Sequence, residues 1–373
     1  MSFVGLAKGI VYVLLWYLSV WCGFFFVCCP LVLVAIVHPK TFRSLMSIAF
    51  SMWEMYPVAL MNVMFGTEII LSGDPIDSQD QALFIMNHKT RLDWNFLWGC
   101  MFHASRPSAH RLKMVLKSPI RHAPGPGWVM QIAGFLYIER NWDADQEAMT
   151  EQLDYFRDIQ HPLQLLIFPE GTDLSQSNIE KSNKFADSHD LPHYSRVLHP
   201  KTTGFTFLAK RLAESDQMDA IYDITVAYLG NSFQSEMDAV YGRFPYQAHF
   251  HIKKYDASSL PVSDTEGMKS WLNKVWAEKE VRLHQFYNEG RFEGSSVGAV
   301  CKPQPLSNAL CMALVFWTML QVFLVYGLFF SSFIRWLVLL SSLLMIVLSF
   351  TSRGVQHLEV QWFRYFNSIR NAA

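Results

Sequence analysis

The pattern of hydrophobic and polar positions divides the chain into two apolar ends and a mixed middle. Residues 9–37 contain no Asp, Glu, Lys or Arg, and about 20 apolar residues suffice to cross a bilayer. Pro30 is expected to break or tilt this segment. Residues 306–334 are also uncharged, and a further uncharged segment, residues 336–352, follows Arg335. We predict a retained N-terminal anchor and one C-terminal span, and the pattern leaves open whether residues 336–352 form a second span.

Between these ends the pattern is that of alternating strands and helices. Residues 41–65 are expected to form a helix, either on the membrane surface or in the core. Short apolar runs predict strands at residues 83–86, 135–138, 163–168, 222–228 and 249–255. Helical stretches cover residues 94–103, 143–159, 204–212 and 265–287. The alternation predicts an α/β fold, a mixed, mainly parallel sheet covered by helices. The predicted domains are a membrane anchor at 1–66, an α/β domain at 67–295 and a C-terminal membrane region at 296–373.

Composition narrows the class of protein. The 373 residues carry a net charge of −1, and charged residues make up 17%, below the roughly 25% of a typical soluble protein. A near-neutral chain offers no electrostatic basis for binding nucleic acid, so none is expected as a partner. Four of the six cysteines lie inside apolar segments and suggest no disulfide framework, which favours a reducing, cytosol-facing catalytic region. His249 and His251 share a strand face but lack a third ligand nearby, so no metal is expected.

The segment Asn87–Asp93 holds a histidine and an aspartate with four residues between them, directly after a predicted strand. On a regular helix, positions five apart differ by about 140°, so His88 and Asp93 can meet only if His88 lies in a loop and Asp93 in the first helical turn. A histidine placed in this way can take a proton while the carboxylate orients it. Thr90-x-x-Asp93 also fits a helix capping box, and the spacing alone does not decide between the two.

Three further segments carry polar groups at the ends of predicted elements. Glu170 lies in a Pro-Glu-Gly turn after an apolar strand, at the end of the strand where α/β sheets bind ligands. Arg140 closes another strand, and its guanidinium suits a phosphate, or it pairs with the adjacent Glu139. Lys201 precedes a predicted helix whose N-terminus could bind an anion. Each segment is equally compatible with an ordinary turn.

In this order and spacing, the four segments resemble the motifs of the glycerolipid acyltransferases of the 1-acylglycerol-3-phosphate acyltransferase type. Those motifs are NHxxxxD, GxxFIxR, FPEGT and a fourth block similar to V-x-P-x-x-x-G, and the resemblance covers about residues 84–204. Residues 87–94, 168–174 and 202–207 look like the lysocardiolipin acyltransferase branch. One position departs from the pattern. Many relatives read Glu-Gly-Thr-Arg, whereas this chain has Asp173, so the arginine's share of phosphate binding must fall to other groups.

The resemblance implies transfer of a fatty acyl group from acyl-CoA to the free hydroxyl of a lysophospholipid at the endoplasmic-reticulum membrane, without a cofactor or a covalent intermediate. The expected acceptors are lysocardiolipin, lysophosphatidylinositol or lysophosphatidylglycerol. It implies that His88 is the general base and that Asp93 orients it. The residues expected to bind the acceptor or its phosphate are Glu170, Gly171, Thr172, Arg140, Lys117 and Lys201. Lys117 is equally compatible with a solvated lysine. The alternatives are acylation of 1-acylglycerol-3-phosphate and a non-catalytic lipid-binding or scaffold protein.

Overall fold

The computed structural model describes residues 3–105, 111–230, 233–292, 302–303, 306–351 and 354–372. The helices are α1 Phe3–Gly23, α2 Cys29–Val37, α3 Pro39–Phe65, α4 Asp93–Ala104, α5 Pro126–Ile132, α6 Trp142–Asp158, α7 Gln176–Ser188, α8 Thr202–Glu214, α9 Glu236–Val240, α10 Thr265–Glu289, α11 Asn308–Phe330, α12 Ser332–Thr351 and α13 Val355–Ala372. The strands are β1 Glu68–Gly73, β2 Ala82–Met86, β3 Leu112–Lys117, β4 Leu136–Ile138, β5 Gln164–Ile167, β6 Ala220–Gly230, β7 Pro245–Asp256 and β8 Lys302–Pro303.

The chain divides into two compact units, each made of three segments. The first unit consists of Met1–Val13, Pro57–Ser108 and Gln164–Ser307. The second unit consists of Leu14–Tyr56, Ala109–Leu163 and Asn308–Ala373. The domain boundaries at 66/67 and 295/296 stay a prediction, and the second of them lies outside the described residues.

The first unit contains a mixed, mainly parallel sheet, as the alternating pattern predicted. Its strand order is β5-β2-β6-β7-β1-β8. The β5–β2, β2–β6 and β7–β1 pairs are parallel, whereas the β6–β7 and β1–β8 pairs are antiparallel. All five residues of β2 are apolar and buried, which is typical of a strand covered on both faces. Within this unit α10 packs against α8 and β6, and α4 packs against β1.

Strand register determines where the polar segments emerge. Ile85 of β2 lies beside Ile167 of β5, and the two strands run in parallel. Their carboxyl ends therefore reach the same edge of the sheet, so the residues after Met86 and those after Ile167 leave side by side.

Helix α10 has clear local start and stop signals. The Asp264 carboxylate accepts a hydrogen bond from the Glu266 backbone N–H at 3.0 Å, as an N-cap does. Gly290 ends the helix with φ +75°, a left-handed conformation that favours glycine.

The second unit combines the parallel pair β3–β4 with helices. In the register of this pair Lys117 lies beside Ile138. Arg43 of α3 is fully buried and ion-paired to Glu359 of α13, and its Nη1 donates to the Ile132 carbonyl at 2.8 Å. Tyr155 of α6 also hydrogen bonds to Glu359. This shared carboxylate fixes α13 to α3 and α6 within the unit.

Four helical segments are long and apolar enough to cross a membrane, judged by length and composition within the described residues. They are Phe3–Val37, Pro39–Phe65, Asn308–Phe330 and Ser332–Ser349. The sequence predicted a break or tilt at Pro30, but the helical segment Phe3–Val37 continues through this residue. A π-helical turn at Phe24–Cys28 joins α1 to α2, and Pro30 falls in the first turn of α2, where a missing N–H costs least.

The open question of a second apolar helix at the C-terminal end is answered by α12. Ser331 joins α11 to α12, and Arg335 donates hydrogen bonds from Nη1 to the carbonyls of Leu328 and Phe329 at 3.2 and 3.1 Å. These carbonyls belong to the last turn of α11 and lack partners within their own helix. Arg335 therefore closes a tight turn between two long apolar helices.

Candidate functional site

The histidine of the first motif lies in the loop after β2. The Asn87 side chain bridges both backbone groups of Val226 on β6, accepting from its N–H at 2.8 Å and donating to its carbonyl at 3.1 Å. This clamp fixes the direction in which the chain leaves the sheet. His88 follows in the loop, α4 begins at Asp93, and the distance from His88 Nδ1 to Asp93 Oδ2 is 3.0 Å. The structure thus has the one arrangement in which this spacing lets the two side chains meet.

Asp93 is held by several donors. Its side chain is fully buried and accepts hydrogen bonds from the Thr90 backbone N–H at 3.0 Å, the Thr90 hydroxyl at 3.2 Å and the Tyr228 hydroxyl at 2.7 Å. These contacts fix the carboxylate before any substrate binds. They also supply the polar partners that a buried charge requires.

The predicted cap at Thr90 is only half formed. Leu92, not Thr90, is the residue before α4, and the Thr90 hydroxyl accepts from the Leu92 N–H at 3.1 Å. The Asp93 carboxylate does reach back to the Thr90 N–H, as in a capping box. The helix starts at Asp93 and not directly after Thr90, because the Thr90 side chain closes its own short turn before Asp93.

The environment of His88 favours the protonated ring. Burial alone would lower the pKa of His88, but its hydrogen bond to Asp93 and the charges of Asp93 and Glu170 outweigh it and raise the pKa above its usual value. The Phe168 ring packs against the imidazole with 4.4 Å between centroids. Within the described part of the chain His88 Nε2 has no hydrogen-bond partner, so it is available to a substrate.

Glu170 connects two of the sequence motifs. It is buried, and it accepts from the His88 backbone N–H at 3.2 Å through Oε1 and from the Leu198 backbone N–H at 3.0 Å through Oε2. Burial raises the pKa of Glu170 to about 7, although both backbone hydrogen bonds oppose the change. The contacts make Glu170 a link between the His88 loop and the loop before α8, and its predicted role in binding the acceptor stays a prediction.

The turn after β5 requires a glycine. Gly171 has φ +70°, and its N–H donates to the Phe168 carbonyl at 2.9 Å. A Cβ built on Gly171 would lie 3.4 Å from Lys201 Nζ, so the lysine chain runs along this turn. The Lys201 N–H also donates to the Pro169 carbonyl at 2.8 Å. Thr172 is held by the Asn178 side chain at 3.1 Å. The first unit therefore brings Lys201 to the turn that carries Glu170, Gly171 and Thr172, and Glu170 contacts the His88 backbone.

Lys117 and Arg140 belong to the second unit. They follow or end the neighbouring strands β3 and β4, and both are exposed. Arg140 has φ 63°, an uncommon conformation for a residue other than glycine. Glu139, the alternative partner considered for Arg140, binds Arg121 at 3.3 Å and the Ser118 hydroxyl at 2.5 Å. A role for Lys117 or Arg140 in phosphate binding stays a prediction.

Sequence reasoning missed several residues of this site. They are Lys89, Tyr228, Arg196, Glu280 and Tyr287. Tyr228 hydrogen bonds to Asp93, and the two oxygens of Glu280 accept from three consecutive backbone N–H groups, those of Ser195, Arg196 and Val197, at 2.7 to 3.0 Å. The position of Lys89 next to His88 was a usable signal. The others come from distant parts of the sequence and carry no local motif.

The histidines on β7 have structural partners. His249 Nε2 lies 3.1 Å from Gln247, and His251 Nδ1 lies 3.1 Å from the Ser72 hydroxyl. Among the residues that the structure describes, no group of three or more His, Cys, Asp or Glu side chains could hold a metal ion.

Comparison with known proteins identifies the class. A family model described as "Acyltransferase" matches residues 68–229, and a second described as "Acyltransferase C-terminus" matches residues 238–317. The fold, the four motifs and these matches define an acyltransferase, and the four long apolar helices mark it as a membrane protein.

Similar proteins narrow the class to a family. Lysocardiolipin acyltransferase 1 of Gallus gallus is 38% identical, covering 96% of this chain and 95% of that protein. Lysophosphatidylinositol acyltransferase 10 of Caenorhabditis elegans is 36% identical, covering 78% of this chain and 77% of that protein. The chain belongs to the 1-acylglycerol-3-phosphate acyltransferase family. A solved structure of the 1-acyl-sn-glycerophosphate acyltransferase PlsC from Thermotoga maritima gives a TM-score of 0.48 at 11% identity, covering 75% of this chain and 97% of that one.

Proposed function

We propose that this protein transfers a fatty acyl group from acyl-CoA to the free hydroxyl of a lysophospholipid, with His88 as the general base. The observation that carries the proposal is the 3.0 Å contact between His88 Nδ1 and the buried Asp93 carboxylate, which leaves Nε2 available to a substrate. The names of the relatives, which include acyltransferases of lysocardiolipin and lysophosphatidylinositol, support a lysophospholipid acceptor of this kind. An endoplasmic-reticulum location with the site facing the cytosol completes the proposal.

The proposed reaction needs one proton carrier. His88 Nε2 takes the proton of the acceptor hydroxyl while its oxygen attacks the thioester carbonyl carbon, giving a tetrahedral intermediate and an imidazolium. The C–S bond then breaks, and His88 returns the proton to the departing thiolate, so that the products are the acylated lipid and free CoA. General base assistance of this kind contributes about 10²–10⁴-fold. No cofactor takes part, and the attacking oxygen belongs to the substrate, so no covalent enzyme intermediate forms.

Asp93 and Glu170 have different tasks in this scheme. Asp93 accepts a hydrogen bond from Nδ1–H, which fixes the tautomer with its lone pair on Nε2 and stabilises the imidazolium. Glu170 holds the backbone of His88 and that of Leu198 in register. The loop that Glu170 positions includes Lys201, whose charge suits the phosphate of an acceptor. Arg140 and Lys117 are proposed as further phosphate contacts.

The experiment is a panel of acceptors with product mass spectrometry. Purified protein in liposomes receives acyl-CoA with lysocardiolipin, lysophosphatidylinositol, lysophosphatidylglycerol or lysophosphatidic acid. Turnover of one of the first three supports the proposal, whereas turnover of lysophosphatidic acid alone favours synthesis of phosphatidic acid. Turnover of none favours a lipid-binding or scaffold protein.

A variant pair tests the base. His88→Ala should abolish acyl transfer without unfolding the protein. His193→Ala is the matched control, because His193 forms an exposed His–carboxylate contact with Asp187 at 2.6 Å. If His88→Ala kept most of the activity, the proposed base would be wrong.

A further inference from the structure

We propose that Lys89 and Arg196 form a phosphate-binding pair beside His88. This inference rests on the proposed function and names the groups that recognise the substrate at the same site. Its ligand class is a phosphate ester, carried either by the lysophospholipid headgroup or by CoA.

Both cations converge on one aromatic ring. The guanidinium carbon of Arg196 lies 4.6 Å from the centre of the Tyr287 ring, and Lys89 Nζ lies 6.0 Å from the same centre. Such cation–π contacts hold a cation in place without neutralising its charge. Two positive groups are therefore fixed on one ring.

Among the described residues, neither of these two side chains has a carboxylate within ion-pair distance, although the charges of Asp93 and Glu170 act on Lys89. In the part of the chain that the structure describes, neither Lys89 nor Arg196 forms an ion pair, and Arg196 Nε is buried without a hydrogen-bond partner. Burial, together with the neighbouring charge of Arg196, lowers the pKa of Lys89. Two like charges held together in a partly buried site repel each other, and a bound anion removes this repulsion.

The pair is attached to the catalytic residues. Lys89 follows His88 directly in the chain. The Arg196 backbone N–H donates to Glu280 at 2.8 Å, and two residues later the Leu198 N–H donates to Glu170. Tyr287 lies near Tyr228, whose hydroxyl donates to Asp93. A phosphate held by Lys89 and Arg196 would therefore have a fixed position relative to His88.

Arg91 is the other basic residue in the first motif, and its surroundings differ. Its guanidinium lies 3.8 Å from Asp173 and 3.9 Å from Glu236, and the side chain is 60% exposed. Asp173, at the position of the family arginine, thus faces a cation instead of supplying one. Because Arg91 is ion-paired to two carboxylates, an anion is expected to bind Lys89 and Arg196, which have no ion-pair partner among the described residues, in preference to Arg91.

The test compares steady-state kinetics of Lys89→Gln and Arg196→Gln with those of the wild-type protein, using an acceptor that the wild type acylates. Losing one hydrogen bond to a charged group should raise one KM by about 10- to 100-fold with kcat little changed. A rise in the KM of the lysophospholipid assigns the pair to the headgroup phosphate, and a rise in the KM of acyl-CoA assigns it to CoA. Arg196→Lys should recover part of the loss, because it keeps the charge but not the planar guanidinium.

Lys210→Gln is the matched control, because Lys210 is exposed on α8 and pairs with Glu214 at 3.8 Å. Unchanged KM values in both site variants would overturn the inference, and so would a fall in kcat with both KM values constant. Calorimetric titration with glycerol 3-phosphate and with adenosine 3′,5′-bisphosphate measures binding without turnover. If the wild type transfers no acyl group, the proposed function fails, while loss of binding of either probe in the variants still supports the phosphate site. Equal binding of both probes by wild type and variants would overturn it.

Discussion

Replacing Asp93 by asparagine tests the His88–Asp93 pair with little change in shape. An asparagine amide at this position can donate to His88 Nδ1, which moves the ring proton to Nε2 and removes the lone pair that takes the substrate proton. The remaining contacts, from Thr90 and the Tyr228 hydroxyl, can still be met in part by the amide oxygen. The variant should therefore fold and lose mainly the function of the base.

The expected loss follows from the role of a general base. We expect kcat to fall by about 10²–10⁴-fold, the range for positioned proton transfer, which corresponds to roughly 3–5 kcal/mol of activation free energy. The free energy of unfolding should fall by about 1–3 kcal/mol, because one hydrogen-bond donor of the buried site loses its acceptor. Tyr228→Phe removes a single 2.7 Å contact to the same carboxylate and should cost only about tenfold in rate.

The pH dependence of the rate gives an independent measurement on the same variant. The base acts when neutral, so the wild-type rate should rise with pH through the pKa of His88, which lies above its usual value of about 6.5. Burial lowers this pKa and Asp93 raises it, so the rising limb should move to lower pH in Asp93→Asn. The reasoning is refuted if Asp93→Asn retains a rate within about tenfold of the wild type, or if the limb moves to higher pH.

Three further substitutions test how the site is held. Gly171→Ala should lower the free energy of unfolding by about 1–2 kcal/mol in a thermal or chemical unfolding assay, because φ +70° is costly for alanine; an unchanged stability would show that the turn relaxes. Glu280→Gln should raise the KM of the phosphate-bearing substrate, because the amide keeps one acceptor oxygen for three backbone N–H groups, and an unchanged KM would contradict this role. Lys279→Met should lower the free energy of unfolding by about 3–5 kcal/mol, because the buried Asp223 loses its 2.5 Å partner. The control Lys269→Met breaks an exposed ion pair and should cost at most about 1 kcal/mol. Equal losses in the two variants would contradict the difference expected between a buried and an exposed pair.

The sequence predicted those parts of the fold in which consecutive residues lie in the same environment, such as a strand buried on both faces. The five predicted strands appear as β2, β4, β5, β6 and β7, and the five helices predicted between the apolar ends appear as α3, α4, α6, α8 and α10. Continuous apolar runs such as Ala82–Met86 are reliable because such a strand is buried on both faces and needs no polar partner. The spacing of His88 and Asp93 limited their geometry in the same way, since only a loop followed by a helix start lets them meet.

The elements that the sequence did not predict depend on long-range partners. Strand β3 contains Lys113, which is buried and donates to the Ser47 hydroxyl at 3.2 Å. Burial and the charge of Arg43 lower the pKa of Lys113 to about 7. A lysine normally indicates an exposed position, so the local pattern argued against a buried strand here. Strand β1 was missed because it follows the long helix α3 after only two residues, and its partner β7 lies far away in the chain.

Helix α10 lies within the second matched region, residues 238–317, and it contacts the candidate site. Lys279 and Glu280 are neighbours on this helix and point about 100° apart. Lys279 therefore reaches Asp223 on β6, whereas Glu280 reaches the loop before α8. Tyr287 is seven residues after Glu280, close to two full turns, so both lie on one helix face. Glu280 accepts a hydrogen bond from the Arg196 backbone N–H, and the Tyr287 ring contacts the Arg196 guanidinium. One face of α10 thus positions both the backbone of the loop before α8 and the guanidinium of Arg196. This requires α10 to keep its position against β6. The buried Lys279–Asp223 ion pair holds it there.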